Sequence, residues 1–384
     1  MKQGWEVKKL GDVCDKASSN VSQNQLDNEV GEYPIFGASG LIKNVSFYHQ
    51  AKPYLSIVKD GSGVGRVTKM DAYTSVIGTL QYILPNDGID LDYLNYSLMS
   101  VDFKKYVAGA AIPHIYFKDY KNEPFLWMPL KEQQQIVSIL NEVFSNIERT
   151  KTNAEQNLKN AKELFQSYLQ GVFENPNNNW EKKKLGDICG FVRGPFGGSL
   201  KKNIFKPDGY AVYEQQHAIY DQFDDLRYFI DEKKFNEMKR FELNSGDLIM
   251  SCSGTMGKIA IVPENIKKGI INQALLKLSP SKKVSNVFLK LWMQSESFQN
   301  SLKEYAGGAA IQNVASVSIL KNIEIPLPDI STQNNIVHKV LSFSAETKKL
   351  EAIYQQKIND LEELKKSVLQ KAFSGELKTA TALV

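Results

Sequence analysis

An α+β fold is expected for this 384-residue chain: two mixed β-sheet and helix domains, separated by two long antiparallel coiled-coil helices and related by a pseudo-two-fold internal repeat. Three observations predict it. The chain is written twice. Each copy opens with a short strand-like segment, followed by a Gly-, Tyr- and Phe-rich stretch that carries short β-prone runs. Each copy closes on forty-odd residues with heptad spacing of its apolar positions.

The repeat is the strongest signal. Trp5 to Cys14 reads WEVKKLGDVC and Trp180 to Cys189 reads WEKKKLGDIC, identical at eight of ten positions with an offset of 175. Downstream, Leu94 to Phe103 answers Leu289 to Phe298, and Tyr106 to Ile112 answers Tyr305 to Ile311. Gln133 to Val137 answers Gln333 to Val337 at an offset of 200, which then stays fixed to the end of the helices. The copies therefore share end segments of equal length and differ in their globular parts. Solenoid and propeller repeats are shorter, about 20–50 residues, so units of this size mean a pseudo-dimer in one chain.

Taken in order, the first copy begins with a strand-like segment (Trp5 to Val13). Turns follow at Gly31, Gly37, Gly40 and Gly61, with apolar runs at 54–58 and 82–84. Leu91 to Val107 shows helical spacing. Pro129 precedes a long helix whose stripe is Ile136, Leu140, Val143, Ile147, Ala154, Leu158, Ala161, Phe165, Tyr168 and Val172. The segment 175–179 (Asn-Pro-Asn-Asn-Asn) ends it. The second copy repeats the plan, with a strand at 180–188, runs at 247–250 and 258–262, and helical spacing from Val287 to Tyr305. Its long helix, after Pro326 and Pro328, carries Ile336, Val340, Phe343, Leu350, Tyr354, Ile358, Leu361, Val368 and Ala372, with Lys365 as a polar lapse. Some forty helical residues run about 60 Å, longer than a domain of this size is wide. Two equal narrow stripes are most simply buried against each other, antiparallel under the pseudo-two-fold. The expected boundaries are 1–130 and 176–328 for the globular domains, 131–175 and 329–377 for the helices, and 378–384 for a tail.

Composition sets limits. Hydrophobic residues make up 42% and charged residues 23%, and Lys+Arg 47 against Asp+Glu 43 gives a net charge of +4, so any basic surface is local. Met1 to Glu6 has no apolar core, which predicts no signal peptide, and no run approaches the ~18 apolar residues of a membrane span. Cys14, Cys189 and Cys252 stand far apart, outside any CxxC pair, and suit buried thiols in a reducing compartment. A cytoplasmic protein without a membrane association is expected.

Motifs for chemistry are missing. Gly254-Thr255-Met256-Gly257-Lys258 has the wrong glycine spacing for a phosphate-binding loop, and Ile259 stands where Ser or Thr is needed, so it reads as a hairpin. The four histidines lie alone, without metal-ligand spacing. No nucleophile elbow, methyltransferase motif or helicase motif is present. The chain reads as a binding device with no catalytic, metal or cofactor site of its own.

Glycine turns that carry cations suit phosphate contacts, because backbone N–H groups can approach as well. In the first domain these are Lys59, Arg66 and Lys69, with Ser39, Lys43 and Ser62 at neighbouring turns. In the second they are Arg193, Lys201, Lys202 and Lys258, with Ser253 and Thr255. Gln215, Gln216 and His217 end an apolar run with side chains able to read base edges. A single lysine at a turn is ordinarily just solvated, so the weight rests on the clusters.

At this point the chain resembles the specificity (S) subunits of type I DNA restriction–modification systems. The resemblance spans the whole chain. It rests on WExKKLGD at Trp5 and Trp180, YPIFGASG at 33–40, GxxGKIAIV at Gly254 to Val262, YxxGAAI-like segments at Tyr106 and Tyr305, and QxxIV at Gln133 and Gln333. One departure is the start of the second helix, Asp329-Ile330-Ser331-Thr332-Gln333, which lacks the Glu132-Gln133 pair of the first. The resemblance implies that each globular domain is a target-recognition domain reading one half of a bipartite site in double-stranded DNA. The half-sites would lie about one helical turn apart, ~10 bp centre to centre, and would differ because the domains differ. It further implies two modification (methyltransferase) subunits docked on the helices, and two restriction subunits where the complex also cuts. S-adenosylmethionine, ATP and Mg would be bound by those partners, with no cofactor on this chain. The assembled complex would then be an adenine-N6 DNA methyltransferase and ATP-dependent endonuclease. The competing reading is a pseudo-dimeric coiled-coil scaffold whose end domains bind proteins, which a net charge of +4 permits.

Overall fold

In the computed structural model, the described residues are 4–174, 180–305 and 316–376. The segment 175–179, the Tyr-to-Ile motif at 306–311 and the tail 378–384 lie outside them. The chain divides into two compact units, one of residues 1–156 with 354–384 and one of residues 157–353.

The first unit contains β1 (Glu6–Lys9), β2 (Cys14–Ser18), β3 (Tyr33–Gly37), β4 (Gly40–Val45), β5 (Tyr54–Val58), β6 (Val67–Met70), β7 (Ser75–Val76) and β8 (Leu80–Pro85). Helices α1 (Leu91–Ser100) and α2 (Phe117–Tyr120), β9 (Pro124–Trp127) and the long α3 (Leu130–Glu174) follow. The strands form an antiparallel sheet β2-β8-β5-β6, a mixed sheet β4-β3-β7 and an antiparallel pair β1-β9. Strand β5 is buried along its whole length, and its period of two separates two cores. Leu55 and Ile57 pack with Tyr93, Leu94 and Leu98 of α1 and with Ile136 and Leu140 of α3. Tyr54 and Val58 pack on the other face with Ile35, Val45 and Val76 of the mixed sheet.

The second unit repeats this plan. Its elements are β10 (Glu181–Lys184), α4 (Leu185–Ile188), β11 (Cys189–Arg193), β12 (Tyr210–Tyr213), α5 (Gln215–Tyr220), β13 (Phe229–Ile230), α6 (Glu232–Glu237), β14 (Leu248–Ser251) and β15 (Ile259–Ile261). Then come β16 (Gly269–Ile271), β17 (Leu275–Pro280), α7 (Asn286–Gln294), α8 (Glu296–Tyr305), α9 (Val317–Asn322), β18 (Glu324–Leu327) and α10 (Ile330–Phe373). The sheets are β11-β17-β14-β15, β13-β12-β16 and β10-β18. Again the central strand divides two cores: Leu248 and Met250 lie in one and Ile249 in the other.

The long helices pack antiparallel within each unit. In the first, the beginning of α3 meets the end of α10: Val368, Ala372 and Phe373 complete the core around Tyr93, and the Lys151 and Glu362 side chains form an ion pair. In the second, the end of α3 meets the beginning of α10. Tyr168 and Phe343 lie 4.4 Å apart between ring centroids, and Phe173 stands 5.4 Å from Phe288. The predicted polar lapse, Lys365, lays its ammonium 5.5 Å over the Phe144 ring, a favourable cation–π contact.

Several expectations need correction. The strands expected at Trp5 to Val13 and at 180–188 end at Lys9 and Lys184, where a helical turn begins in each copy. Leu350 is 39% exposed rather than packed in the seam. Thr347 takes the seam position instead, buried, with its hydroxyl donating to the Phe343 and Ser344 carbonyls, and this leaves Leu350 on the flank. The helical stretch expected from Leu91 to Val107 ends at Ser100, where Val101 is extended and Asp102 caps a new turn through Lys104 N. The stretch from Val287 to Tyr305 is broken into α7 and α8 at Ser295, which is extended and buried with its hydroxyl on the Trp292 carbonyl. Apolar periodicity continues across both breaks, so the spacing alone conceals them.

The QxxIV motif has a structural basis. Gln133 is fully buried; its Oε1 accepts from Asp90 N, and its Nε2 donates to the Gly88 and Met128 carbonyls at 3.0 and 2.8 Å. Gln333 does the same with Ser285 N, Lys283 O and Pro328 O. Asp90 and Ser285 are the N-caps of α1 and α7. One side chain thus ties the start of each long helix to the helix of its domain. Where the second motif lacks the acidic partner, Asp329 caps α10: its carboxylate accepts from Thr332 N and Oγ1, and these bonds hold its pKa below the usual range.

Candidate nucleic-acid interface

The two glycine hairpins fold as turns between paired strands. Gly61-Ser62-Gly63-Val64-Gly65 joins β5 to β6, with Gly65 N donating to Val58 O and Gly61 N to Pro113 O. Cys252 to Lys258 joins β14 to β15. Ser251 Oγ donates to Thr255 O and accepts from Lys258 N, which fixes the turn from within. Gly254 and Gly257 have φ of +64° and +73°, a region that side chains with a Cβ rarely enter.

In the first unit the structure brings two of the expected residues together. Arg66 hydrogen-bonds to the Ala38 carbonyl, and Arg66, Ser39 and Gly40 line one cavity of about 260 Å³ between the hairpin and the β3–β4 turn. Ser39, Ser62 and Arg66 are exposed. The other cations there are engaged. Lys59 pairs with Asp60 at 3.1 Å and Lys69 with Asp92 at 2.7 Å. Lys43 donates to the Leu26 carbonyl at 2.8 Å.

In the second unit the expected residues divide between two faces. Arg193 lines a cavity of about 820 Å³ beside the loop 194–199. Lys202 lines a neighbouring one of about 490 Å³, and Gln273 borders both. Lys201 is exposed beside them. Lys258 is exposed elsewhere, in a cavity of about 680 Å³ shared with Lys290 and with Phe165 and Leu341 of the long helices. Ser253 is half-buried and Thr255 exposed on the hairpin. Among the described residues, Arg66, Arg193, Lys201, Lys202 and Lys258 have no carboxylate within salt-bridge reach.

His217 is a correction. Only 1% exposed, it sits in α5, whose first turn rotates it into the core. Its Nδ1 lies 2.9 Å from Glu214 N and its Nε2 3.1 Å from the Asp225 carbonyl. It holds a helix start and is not presented at the surface. Gln216 donates to the Asp225 carbonyl at 3.1 Å, and Gln215 has its Oε1 buried without a partner. Sequence reasoning also missed residues: Phe196, Lys234, Arg240, Gln273 and Lys321 line the cavity with Arg193. They come from separate segments and carry no common spacing, so only the fold gathers them.

All three thiols are buried, and burial raises them, to about 12 for Cys14 and Cys189 and to about 11 for Cys252, where Arg193 pulls the other way. Thiols so protonated are poor nucleophiles. Among the described residues no three His, Cys, Asp or Glu gather as a metal site, and no helix is long and apolar enough to cross a membrane.

A family model described as type I restriction modification DNA specificity domain matches residues 2–160 and again residues 177–363. The chain is 26% identical over 273 residues to the type I restriction enzyme EcoBI specificity subunit of Escherichia coli, a match covering 65% of this chain and 57% of that protein. It is 27% identical over 204 residues to the putative type I restriction enzyme MjaX specificity subunit of Methanocaldococcus jannaschii, covering 51% and 46%. The chain thus spans about half the length of these curated relatives. A chain solved in work on complex assembly and conformational transition of the type I R-M system has the same fold, with a TM-score of 0.76 at 17% identity over 98% of this chain and 99% of that one. The HsdS subunit from Thermoanaerobacter tengcongensis matches with a TM-score of 0.62 at 16% identity, over 98% of each chain.

Proposed function

The chain belongs to the type I restriction modification DNA specificity family, and from that premise we propose that it is the DNA sequence-recognition subunit of a type I restriction–modification complex. The observation that carries the reading is the duplicated plan with unlike loops. The same three sheets recur in both units, while the turns that hold unpaired cations differ in length and sequence. Such a molecule reads two different short sequences with one architecture. Each unit contacts one half-site of double-stranded DNA, so the full site is asymmetric and gapped. The helices α3 and α10 offer pseudo-equivalent faces for two modification subunits, joined by restriction subunits where the complex cuts.

The roles divide by chemistry. Arg66 in the first unit, and Arg193, Lys201 and Lys202 in the second, hold phosphates, since they are cations with no carboxylate in salt-bridge reach among the described residues. Phosphate contacts set position and orientation, and base edges set sequence. Methyl transfer and ATP-driven cleavage belong to the partners, which supply S-adenosylmethionine, ATP and Mg²⁺. The complex works in the cytoplasm, where the DNA is.

The test is the methylome of the source cell with and without this gene. The expected result is loss of one asymmetric, gapped adenine-methylation motif. An unchanged methylome, in cells that produce an assembled complex with methyltransferase activity, overturns the reading.

A further inference from the structure

We infer that Phe196 is a stacking wedge for a base of the DNA half-site read by the second unit, with Arg193, Arg240 and Lys321 as the phosphate clamp around it. The inference rests on the specificity reading and assigns one side chain a role within it. Phe196 is 93% exposed, the most exposed large hydrophobic side chain among the described residues. Fully exposing a phenylalanine forgoes a substantial hydrophobic gain, and one held out on a turn is poised for a partner.

The loop that carries it is fixed at its root. Gly194 N donates to Leu275 O, and a Cβ on Gly194 would lie 1.8 Å from the Asn272 carbonyl oxygen. Only glycine allows that approach. Ser199 N closes the turn on the Phe196 carbonyl at 2.8 Å. Pro195 restricts the backbone immediately before the ring. The ring is thus presented on a short, anchored turn.

Its surroundings say what the partner is. The cavity of about 820 Å³ beside the ring is lined by Arg193, Lys234, Arg240 and Lys321, against one carboxylate, Glu237. Glu237 is engaged with Lys234 at 3.2 Å. Arg193, Arg240 and Lys321 have no carboxylate in reach among the described residues. A partner for one apolar ring bordered by three cations without a carboxylate in reach needs a flat apolar face and several anions close to it. Nucleic acid supplies both, as bases and phosphates. Among its described residues the first unit does not repeat the exposed ring at the equivalent position. At the offset of 175 fixed by Trp5 and Trp180, the position of Phe196 is held by Val21, which packs against the core. The wedge therefore belongs to one half-site alone.

The experiment uses the assembled complex and duplexes carrying its methylated motif, with 2-aminopurine placed at successive positions of both half-sites. With the wild-type complex, one position in the second unit's half-site should brighten as its stack opens, besides the methylated adenines that the methyltransferase partners extrude themselves. Phe196→Ala should abolish that signal and weaken cognate binding about 10-fold, the size of one lost base–aromatic stack. Phe196→Trp should restore both, and signals from the other half-site should not change. An unchanged thermal midpoint of Phe196→Ala shows the fold intact. Retained fluorescence and affinity in Phe196→Ala overturn the inference while leaving the specificity reading in place. Loss of a modification subunit from Phe196→Ala, with DNA signals unchanged, also overturns it and makes the ring a protein contact. Absence of any sequence preference in the wild-type complex overturns the specificity reading itself, and this role with it.

Discussion

Replacing Gln333 with Glu keeps the shape of the side chain and removes its two N–H donors. Two buried carbonyls, of Lys283 and Pro328, would then face a carboxyl group. Leaving buried groups unsatisfied costs about 1–3 kcal/mol each. Gln333→Glu and Gln133→Glu are therefore each expected to lower the denaturant midpoint by the equivalent of about 3 kcal/mol, whereas Asn334→Asp, the same amide-to-acid change on the exposed face next door, should do nothing. The cap at Asp329 has a pH signature. Its folded-state pKa is depressed below 3.8, so its contribution is present above that pH and fades as pH falls through the lower folded value. Asp329→Asn should keep the cap and lose this dependence, read as stability between pH 5 and about 3. Among the surface cations, Arg66→Ala and Arg193→Ala should each reduce the slope of log K against log salt by about 1. Lys69→Ala should leave it unchanged, because Lys69 is engaged with Asp92. The sequence shows that cations gather at glycine turns. It does not show which have a counter-ion supplied from elsewhere in the fold, as with Lys69 and Asp92. His217 misleads for the same reason: a run of polar residues after a strand looks exposed until the helix turn that follows carries one of them inward.

At the scale of elements, the long helices were the most legible part of the chain. Their apolar steps of three, four and seven persist over forty-odd residues, and prolines precede both starts. What escaped was local. Thr347 satisfies its own hydroxyl inside the helix and so passes as an apolar residue, which displaces Leu350. The interruptions after Ser100 and at Ser295 depend on cap bonds, which apolar periodicity does not register. The antiparallel four-stranded sheets were partly legible as β-prone runs at 54–58, 82–84, 247–250 and 258–262, yet strand pairing was not, since strands such as β3 and β7 pair across forty residues of chain. If α3 and α10 set the gap between half-sites, deleting one heptad from each should change the number of unread base pairs by about three, taking 1.5 Å per residue and 3.4 Å per base pair. Both half-site sequences should survive. Methylome sequencing of cells carrying the shortened gene checks both outcomes, and a changed half-site would count against independent reading.

For the whole molecule, the repeat in sequence foretold a repeat in topology, and the strand orders of the two units match sheet for sheet. Exchanging residues 190–320 for the corresponding region of a relative should therefore alter one half of the methylated motif and leave the other. The partition of the chain is less simple than two domains in a row. The first unit takes in residues 354–384, and Ala372, fully buried, sits in the same core as Trp5 and Leu10. A nascent chain leaving the ribosome cannot close that core until residues 372 and 373 have been made, more than two hundred residues after the rest of its globular part. At about 5–20 residues per second, the first unit waits on the order of tens of seconds with the seat of Ala372 and Phe373 empty. The second unit, residues 157–353, has all its parts before the first does. Synthesis order and completion order are thus reversed. A premature stop near residue 350 should spare the part made last and expose the part made first, so that pulse-labelled truncated chains are cut by protease within the first 150 residues.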